Sequence, residues 1–296
     1  MDKEYKKMLE KVIHYGDIKE DRTGVGTISV FGYETRFDLS KGFPAVTTKK
    51  LAWKSVVSEL FWMLEGSQDE RRLAEILYGK PRGELVGKKT IWTDNADKQG
   101  KDLGYRNDDT TKALGPVYGS QWRNWYNGST DDSFDQIKNL IYDLKSNPYS
   151  RRHILTAWNV GEIDQMALPP CHYSCQFNVT NNKLSCKLNM RSNDLFLGAP
   201  FNIAGYALLT HLIAKECNFE VGELVYSIGD AHIYMNHVEQ VKEQLNRVPY
   251  PSPTLEIPED FNLMEKINTG FSKKDVDMCK LIDYNYHPAI KAPMAV

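Results

Sequence analysis

The sequence predicts an α+β fold in a single domain. Two runs, 173–179 and 184–190, alternate apolar and polar side chains as strands do, and a long apolar segment at 202–217 follows them as a buried helix. This order of strand, strand and helix contains no repeating β–α unit, so a doubly wound sheet is not expected. No shift in composition marks a boundary, and residues 1–296 are expected to form one domain.

The first part of the chain carries a helical pattern at 9–14 and a strand pattern at 27–39. The apolar residues of this strand change face near Phe31-Gly32, which a β-bulge or a kink would explain. From Trp53 to Leu64 apolar residues recur every three or four positions, as on one face of a helix. Glu59 falls at the edge of that face, where partial loss of hydration would raise the pKa of its carboxyl.

The middle of the chain is interrupted before its strands begin. Charged, glycine-bearing sequence near 79–90 and 101–113 predicts surface insertions rather than a linker. A strand is expected at 154–158, ahead of the two alternating runs. Asn181-Asn182, between those runs, suits a tight hairpin turn because asparagine tolerates a positive φ.

Composition and charge exclude several classes of protein. The 37 basic and 39 acidic residues give a formal net charge of -2, without the basic excess typical of nucleic-acid-binding proteins. No apolar run is long enough to span a membrane, and residues 1–7 are not followed by the apolar core of a secretory signal. Five cysteines are an odd and sparse set, so reduced thiols and a cytoplasmic location are expected.

Two kinds of cofactor site are not expected. Gly24-Val25-Gly26 begins like a dinucleotide fingerprint, but Ser29 stands where the third glycine belongs and a strand follows instead of a helix. This argues against a nicotinamide (NAD) or flavin site. Cys171, His172 and Cys175 lack the paired spacing of a zinc site, so no metal is expected either.

Cys171 is the candidate nucleophile. It follows Pro169-Pro170, a rigid dipeptide that can hold one side chain in a fixed geometry. A thiolate is a strong nucleophile where nearby cations lower the pKa of the thiol, although a lone cysteine is more often a small buried apolar residue. Arg22, Arg191 and the pair Arg151-Arg152 carry planar guanidinium groups that suit a phosphate dianion, yet each taken singly fits a surface residue better.

Long motifs in the chain resemble the folate-dependent thymidylate synthase family. The main ones are ALPPCH at 167–172, MRSNDLFLGAPFNIA at 190–204 and GDAHIY at 229–234. Supporting runs are DRTGVG at 21–26, GFPAVTTKK at 42–50, LGPVYGSQWR at 114–123, SRR at 150–152 and HPAIKAPMAV at 287–296. The resemblance covers nearly the whole chain.

The resemblance implies both a fold and a reaction. The implied fold is a mixed β-sheet packed by helices, with two subunits of a homodimer meeting sheet to sheet. The implied reaction is the methylation of dUMP to dTMP, in which 5,10-methylenetetrahydrofolate supplies carbon and hydride and leaves as dihydrofolate. Cys171 would add to C6 of the uracil ring, which splits a difficult alkylation into easier steps.

Site residues are carried over from the motifs that match. The catalytic set implied by the resemblance is Cys171, Glu59, Tyr118, Arg191 and Asn202. The residues implied for dUMP are Arg22, Arg151, Arg152, Arg191, Ser192, Asp194, Asn202, His232 and Tyr234, with Arg151 and Arg152 supplied by the other subunit. Those implied for the folate are Lys49, Trp92, Asp194 and Val296.

Roles within this set also follow from the resemblance. Arg191 would favour the Cys171 thiolate, and Asn202 would pair with the uracil edge and exclude cytosine. Glu59 would organise proton transfer with water, while Tyr118 would assist removal of the C5 proton. His232 and Tyr234 would bind the 3′-hydroxyl of the deoxyribose. Trp92 and Asp194 would contact the pteridine. Lys49 would lie toward the folate tail, and Val296 would close over the folate.

The sequence departs from the family at Thr93, where aspartate is usual, and at Met190, where glutamine is common. A dUMP hydroxymethylase, in which water captures the methylene, would keep Asn202 and is the alternative reading. Trp92 and the intact C-terminal tail favour methylation, because closure excludes water from the intermediate. A regulatory RNA-binding role on the same fold has less support, since the net charge of -2 offers no attraction to a polyanion.

Overall fold

The computed structural model describes residues 2–21, 23–126 and 133–293. Its central element is a mixed β-sheet. Within those residues the sheet has six strands. In spatial order they are β1 (Asp17–Lys19), β2 (Thr27–Asp38), β8 (Glu220–Tyr234), β7 (Lys183–Asp194), β6 (His172–Thr180) and β5 (Ile154–Thr156). Strands β7 and β8 run parallel, and the other neighbours run antiparallel. The predicted α+β class and the mixed sheet are confirmed.

Helices and two small sheets surround this frame. The helices are α1 (Asp2–Tyr15), α2 (Trp53–Glu65), α3 (Glu70–Tyr78), α4 (Thr93–Asn95), α5 (Gly119–Arg123), α6 (Gln136–Ser146), α7 (Gly198–Glu216), α8 (Val238–Asn246), α9 (Leu263–Thr269) and α10 (Lys273–Met278). Strands β3 (Trp125–Tyr126) and β4 (Ser133–Phe134) pair with each other, as do β9 (Thr254–Glu256) and β10 (Lys280–Ile282). Helix α7 packs on β7 and β8, and α1 packs on β2.

Helix α7 is the buried centre of the domain, as the apolar segment predicted. Its Leu208, Leu209 and Ile213 are all fully buried between the sheet and α2. The helix begins at Gly198, four residues ahead of the predicted start. The carboxylate of Asp194 accepts the backbone N–H groups just before that start, which extends the ordered turn at the end of β7.

The hairpin between β6 and β7 is confirmed. Asn181 and Asn182 have φ values of 50° and 60°, and Thr180 pairs with Lys183 directly across the turn. These are the left-handed conformations that a two-residue hairpin turn requires and that asparagine tolerates.

The change of face in β2 comes from a kink rather than a bulge. Phe31 lies opposite Asp230 and Tyr33 lies opposite Ile228, so the register is constant across Gly32 and no residue is inserted. Gly32 itself has a φ of 82°, which departs from extended backbone and reorients the side chains that follow. The β-bulge alternative is therefore wrong.

The predicted insertion at 79–90 is mostly exposed, but it is anchored at one point. Leu85 is fully buried, and the guanidinium of Arg71 donates to the backbone carbonyls of Leu85 (3.1 Å) and Lys88 (2.9 Å). The chain that follows runs into a cavity at Ile91 and Trp92. The segment is therefore not only a surface loop, because Leu85 packs in the interior and the residues that follow it line the cavity.

Candidate active site

One cavity of about 450 Å³ collects most of the predicted site residues. It lies where α2, the start of β6, the end of β7 and the start of α7 meet. The predicted residues that line it are Glu59, Trp92, Tyr118, Cys171, Arg191, Ser192, Asp194, Asn202, His232 and Tyr234. Arg22 and Val296 lie outside the described residues.

Cys171 and Arg191 form the centre of this cavity. The backbone N–H of Arg191 donates to the Cys171 carbonyl at 2.8 Å, which brings the start of β6 against β7. The Arg191 guanidinium donates from Nε to the Pro170 carbonyl (3.0 Å) and from Nη2 to the Pro169 carbonyl (2.8 Å). Nη2 then lies 3.6 Å from Cys171 Sγ. The two prolines therefore present the carbonyls that hold the cation beside the sulfur.

Two effects act in opposite directions on the Cys171 thiol. Burial raises its pKa, and the Arg191 guanidinium lowers it by a smaller amount. The net result is a pKa above the ordinary value, so the thiol form is favoured in the protein alone. Arg191 therefore lowers the pKa of the thiol as expected, but this effect is smaller than the increase that burial causes.

Tyr118 supports the backbone of the nucleophile. Its hydroxyl oxygen accepts the N–H of Cys171 at 2.8 Å, and its ring stacks on His172 at 4.0 Å. Tyr118 has a φ of 31°, a strained value for a residue with a side chain. The strain is held by Gly119, where a Cβ would lie 2.2 Å from the Met63 carbonyl oxygen, so α5 packs directly on α2.

His172 is a neutral ring in this arrangement. Burial lowers its pKa to about 3, and its Nδ1 lies 2.8 Å from the Tyr206 hydroxyl. Stacked between Tyr118 and α7, it fixes the aromatic wall behind Cys171. Sequence reasoning gave it no positive role, although its place directly after Cys171 was a signal.

Glu59 projects into the cavity from α2, where helical periodicity placed it. The Trp92 indole Nε1–H donates to Glu59 Oε1 at 2.7 Å. Burial raises the pKa of the carboxyl from 4.5 to about 7, and the hydrogen bond from Trp92 opposes that rise. The expected upward shift is confirmed, and it makes Glu59 able to exchange a proton near neutral pH.

A chain of side chains fixes the Asn202 carboxamide. The Tyr226 hydroxyl donates to Asn193 Oδ1 at 2.6 Å, and Asn193 Nδ2 donates to Asn202 Oδ1 at 2.9 Å. Because Tyr226 is fully buried on β8, it holds this orientation from the core. Neither Asn193 nor Tyr226 was predicted, since their roles depend on contacts between distant parts of the chain.

His232 is oriented by a carboxylate. Its Nδ1 lies 2.9 Å from Asp230 Oδ1, and the second carboxylate oxygen of Asp230 is bonded to Lys19. The hydrogen bond from His232 and, after it, the one from Lys19 lower the pKa of Asp230 to about 2. An ionised Asp230 can only accept, so His232 donates from Nδ1 and keeps Nε2 for another partner.

Three predicted residues lie away from this cavity. Lys49 is buried, with its Nζ bonded to the Phe196 carbonyl and 3.5 Å from the centroid of the Phe196 ring. Burial lowers the pKa of Lys49 to about 7. Arg151 and Arg152 are exposed on the loop before β5. The geometry of this chain alone brings none of the three to the cavity.

Metal-binding clusters and membrane-spanning helices are both absent from the described part of the chain. It contains no group of three or more His, Cys, Asp or Glu side chains that could hold a metal ion. Across the same residues no helix is long and apolar enough to cross a bilayer.

The sequence profile of the thymidylate synthase family matches residues 3–296. The chain belongs to the thymidylate synthase family. It is also similar to the thymidylate synthase of Coxiella burnetii (strain Dugway 5J108-111), with 48% identity over 297 positions that cover 99% of this chain and all of that protein. The family resemblance seen in the motifs is therefore confirmed along the whole chain.

The position of Glu59 predicts how stability depends on pH. Its pKa in the folded state, about 7, lies above the ordinary 4.5, so the folded protein favours the protonated carboxyl. Its stabilising contribution is present at low pH and is lost as the pH rises through 7. Glu59→Gln keeps an acceptor for Trp92 but cannot ionise. We expect its free energy of unfolding, relative to that of the wild type, to increase by about 1–3 kcal/mol between pH 5 and pH 8.

Urea unfolding at a series of pH values measures this difference. Glu10→Gln, on the exposed side of α1, is the matched control and should follow the wild type at every pH. Parallel stability curves for Glu59→Gln and the wild type would contradict the raised pKa.

Proposed function

We propose that this chain catalyses the reductive methylation of dUMP to dTMP, with 5,10-methylenetetrahydrofolate converted to dihydrofolate. One observation carries the proposal: the Cys171 sulfur lies 3.6 Å from a fixed guanidinium, in a cavity that also holds Glu59 and Asn202. A nucleophile, a cation beside it, a proton-exchanging carboxyl and a carboxamide are the groups that covalent activation of a uracil ring needs.

Cys171 would open the reaction by losing its thiol proton to solvent water and adding, as the thiolate, to C6 of the uracil. The S–C6 bond forms while the electrons of the C5–C6 double bond move toward C5 and O4, which makes C5 nucleophilic. The bond breaks again when the product leaves, and the sulfur returns to its starting state. Arg191 supports the step because its guanidinium stabilises negative charge on the sulfur.

Proton exchange at the ring is assigned mainly to Glu59. Its pKa of about 7 lets it both take and give a proton at neutral pH. Burial raises the pKa of Tyr118 well above its ordinary value, so Tyr118 remains a phenol. Tyr118 would therefore assist by orienting the Cys171 backbone and a hydrogen-bonded water near C5, and a proton removed from C5 would pass toward Glu59.

Other residues of the cavity are assigned to binding dUMP. Asn202, held by Asn193, would present a fixed carboxamide to the uracil edge and reject cytosine, whose donor and acceptor pattern differs. His232 would accept the deoxyribose 3′-hydroxyl at Nε2, with Tyr234 beside it. Ser192 and Arg191 would meet the phosphate, together with Arg22, which the family resemblance assigns to the same group.

The same cavity suits a folate. Ile91, Trp92 and Leu168 give it apolar and aromatic walls against which a planar pteridine can stack. Asp194, which also lines the cavity, would accept hydrogen bonds from the pteridine nitrogens. When bound, the folate supplies the one-carbon unit and the hydride, and Trp92 would help keep water from the reacting carbon. Lys49 and Val296 remain assigned to the folate tail and to closure by the family resemblance alone.

Turnover tests this proposal. We expect purified protein mixed with dUMP and 5,10-methylenetetrahydrofolate to form dihydrofolate, followed by absorbance, and an equal amount of dTMP, measured by mass. Cys171→Ala should abolish both products. The matched control Cys175→Ala, which removes a buried thiol from β6, the strand that follows Cys171, should retain activity.

Two outcomes would contradict it. Formation of 5-hydroxymethyl-dUMP without dihydrofolate would show a hydroxymethylase, and activity that persists in Cys171→Ala would remove the nucleophile. RNA binding that survives in Cys171→Ala without any turnover in the wild type would favour the regulatory alternative.

We also propose that the enzyme is a homodimer joined through its sheet. A groove lined by Phe31, Trp158, Tyr173 and Ile228 leaves apolar surface open, with Phe31 89% exposed. Large exposed apolar patches favour association with another protein surface. Arg191 lines both this groove and the catalytic cavity, so a partner seated on the groove would lie beside the proposed phosphate site. That position suits Arg151 and Arg152 of a second copy.

The compartment proposed is the cytoplasm. All five cysteines are unpaired, and four of them are buried. Thiols that remain reduced fit a reducing compartment.

Subunit mixing tests the shared site. Cys171→Ala should be inactive alone and Arg151→Ala weak, and we expect a randomly exchanged 1:1 mixture to reach about a quarter of the wild-type activity, because about half of its dimers are heterodimers with one restored site. The Arg151→Ala chain keeps its own Cys171 and would receive Arg151 from its partner, which restores one of two sites. Steady-state rates before and after subunit exchange measure the gain.

A matched pair controls for mixing itself. Cys171 and Glu59 line one cavity of one chain, so Cys171→Ala mixed with Glu59→Gln should regain nothing. If the Arg151→Ala mixture also stays inactive, Arg151 does not cross to the partner's site.

A further inference from the structure

Behind the catalytic cavity lies a buried polar cluster that the proposed chemistry does not use. The Glu70 carboxylate is fully buried and receives Arg71 through two hydrogen bonds, Nε to Oε2 at 2.6 Å and Nη2 to Oε1 at 2.7 Å. Two hydroxyl groups also donate to Oε1, from Thr90 at 2.7 Å and from Thr93 at 2.6 Å. Four donors satisfy this charge, as a buried carboxylate requires.

The two hydroxyl groups also hold the backbone around Trp92. Thr93 Oγ1 accepts the Thr90 N–H at 2.8 Å, and Thr90 Oγ1 accepts the Trp92 N–H at 3.2 Å. Each threonine thus donates to Glu70 and accepts from the turn. The turn that carries Trp92 is tied at two points to a charge fixed on α3.

Trp92 in turn reaches the cavity. Its indole Nε1–H is 2.7 Å from Glu59 Oε1, and its ring lies edge-on to Tyr118 at 5.6 Å. The rest of the segment is held mainly from α3, by Arg71 on the Leu85 and Lys88 carbonyls. Among the contacts between α3 and this segment, those of Glu70 with Thr90 and Thr93 are therefore the nearest to Trp92.

We propose that Glu70 and Thr93 are positioning residues, which hold the Trp92 indole N–H against Glu59 and so set the geometry of the proton-exchanging carboxyl. The kinetic consequence of this inference rests on the proposed function. The geometry of Glu70, Thr93 and Trp92 is independent of that function. Thr93 suits this place because Glu70 needs a donor there. An aspartate at 93 would set a second carboxylate against Glu70 without a proton to offer.

Glu59 has few other groups that could mask this effect. Glu59 interacts electrostatically with the phenols of Tyr118, just before α5, and Tyr206 on α7. The other titratable or charged groups that line the same cavities are Lys19, Asp21, Cys171, His172, Arg191, Asp194, Asp230, His232 and Tyr234. The hydrogen bond from Trp92 lowers the pKa of Glu59 against the effect of burial. A turn that lets Trp92 move away should therefore raise that pKa further.

Thr93→Val tests the proposal, because valine keeps the shape of threonine and removes the hydroxyl. We expect kcat to fall by about tenfold or more, the KM for dUMP to change less than about twofold, and the acidic limb of the rate profile to move to higher pH. Thr93→Ser restores the hydroxyl and should behave as the wild type. Thr90→Val is a second variant for the case in which Thr93→Val does not fold.

Tyr78→Phe is the matched control. The Tyr78 hydroxyl donates to the Lys89 carbonyl at 2.6 Å, so its loss loosens the same segment without touching Glu70. Its rate profile should stay at the wild-type position. If Tyr78→Phe moves the acidic limb as far as Thr93→Val, or if neither threonine variant moves it, the proposal is wrong.

A titration without substrate separates this inference from the proposed function. Infrared difference spectra against Glu59→Gln report the protonation of the Glu59 carboxyl directly. We expect the Glu59 pKa to lie higher in Thr93→Val than in the wild type, and an unchanged pKa would overturn the proposal. If the wild type made no dTMP, the shift would still establish the positioning role while the proposed function failed.

Discussion

The fixed guanidinium beside the Cys171 sulfur is the constraint on which the rest of the site depends. Arg191 spends two of its hydrogen bonds on the carbonyls of Pro169 and Pro170, and this leaves Nη2 3.6 Å from Sγ. Since burial raises the pKa of the thiol more than Arg191 lowers it, the protein holds a protected thiol rather than a free thiolate. The cation matters most when charge develops on sulfur during attack, because its position requires no reorganisation at that moment.

Three of the side chains that we assign to ligand or to proton exchange are each oriented by a hydrogen-bonded neighbour. Asn193 orients Asn202, Asp230 orients His232, and Trp92 orients Glu59. Trp92 supports Glu59 from a distant part of the chain, whereas Asn193 and Asp230 lie in the same motifs as Asn202 and His232. The energetic reason is that a polar group in a closed cavity must keep one geometry, and only packing and hydrogen bonds from behind can hold it there.

Local patterns predicted the elements that are regular and buried. Periodicity placed α2 and Glu59 on its edge, alternation gave the β6–β7 hairpin, and the apolar run gave α7. The pattern in β2 left a bulge and a kink open, because both move side chains to the other face and only pairing with β8 distinguishes them. Contacts such as Tyr226 to Asn193 join residues far apart in sequence, so no local pattern contains them. The direction of Lys49 toward Phe196 was hidden for the same reason.

Trapping the nucleophile tests the central claim most directly. The protein is incubated with 5-fluoro-dUMP and 5,10-methylenetetrahydrofolate, because fluorine at C5 cannot leave as a cation and the covalent complex should accumulate. After digestion, the account predicts that the peptide containing Cys171 carries the mass of both ligands. When the folate is omitted, the complex with both ligands should not form. A Cys171 peptide of unaltered mass under saturating concentrations of both ligands would contradict the assignment of this sulfur as the attacking atom.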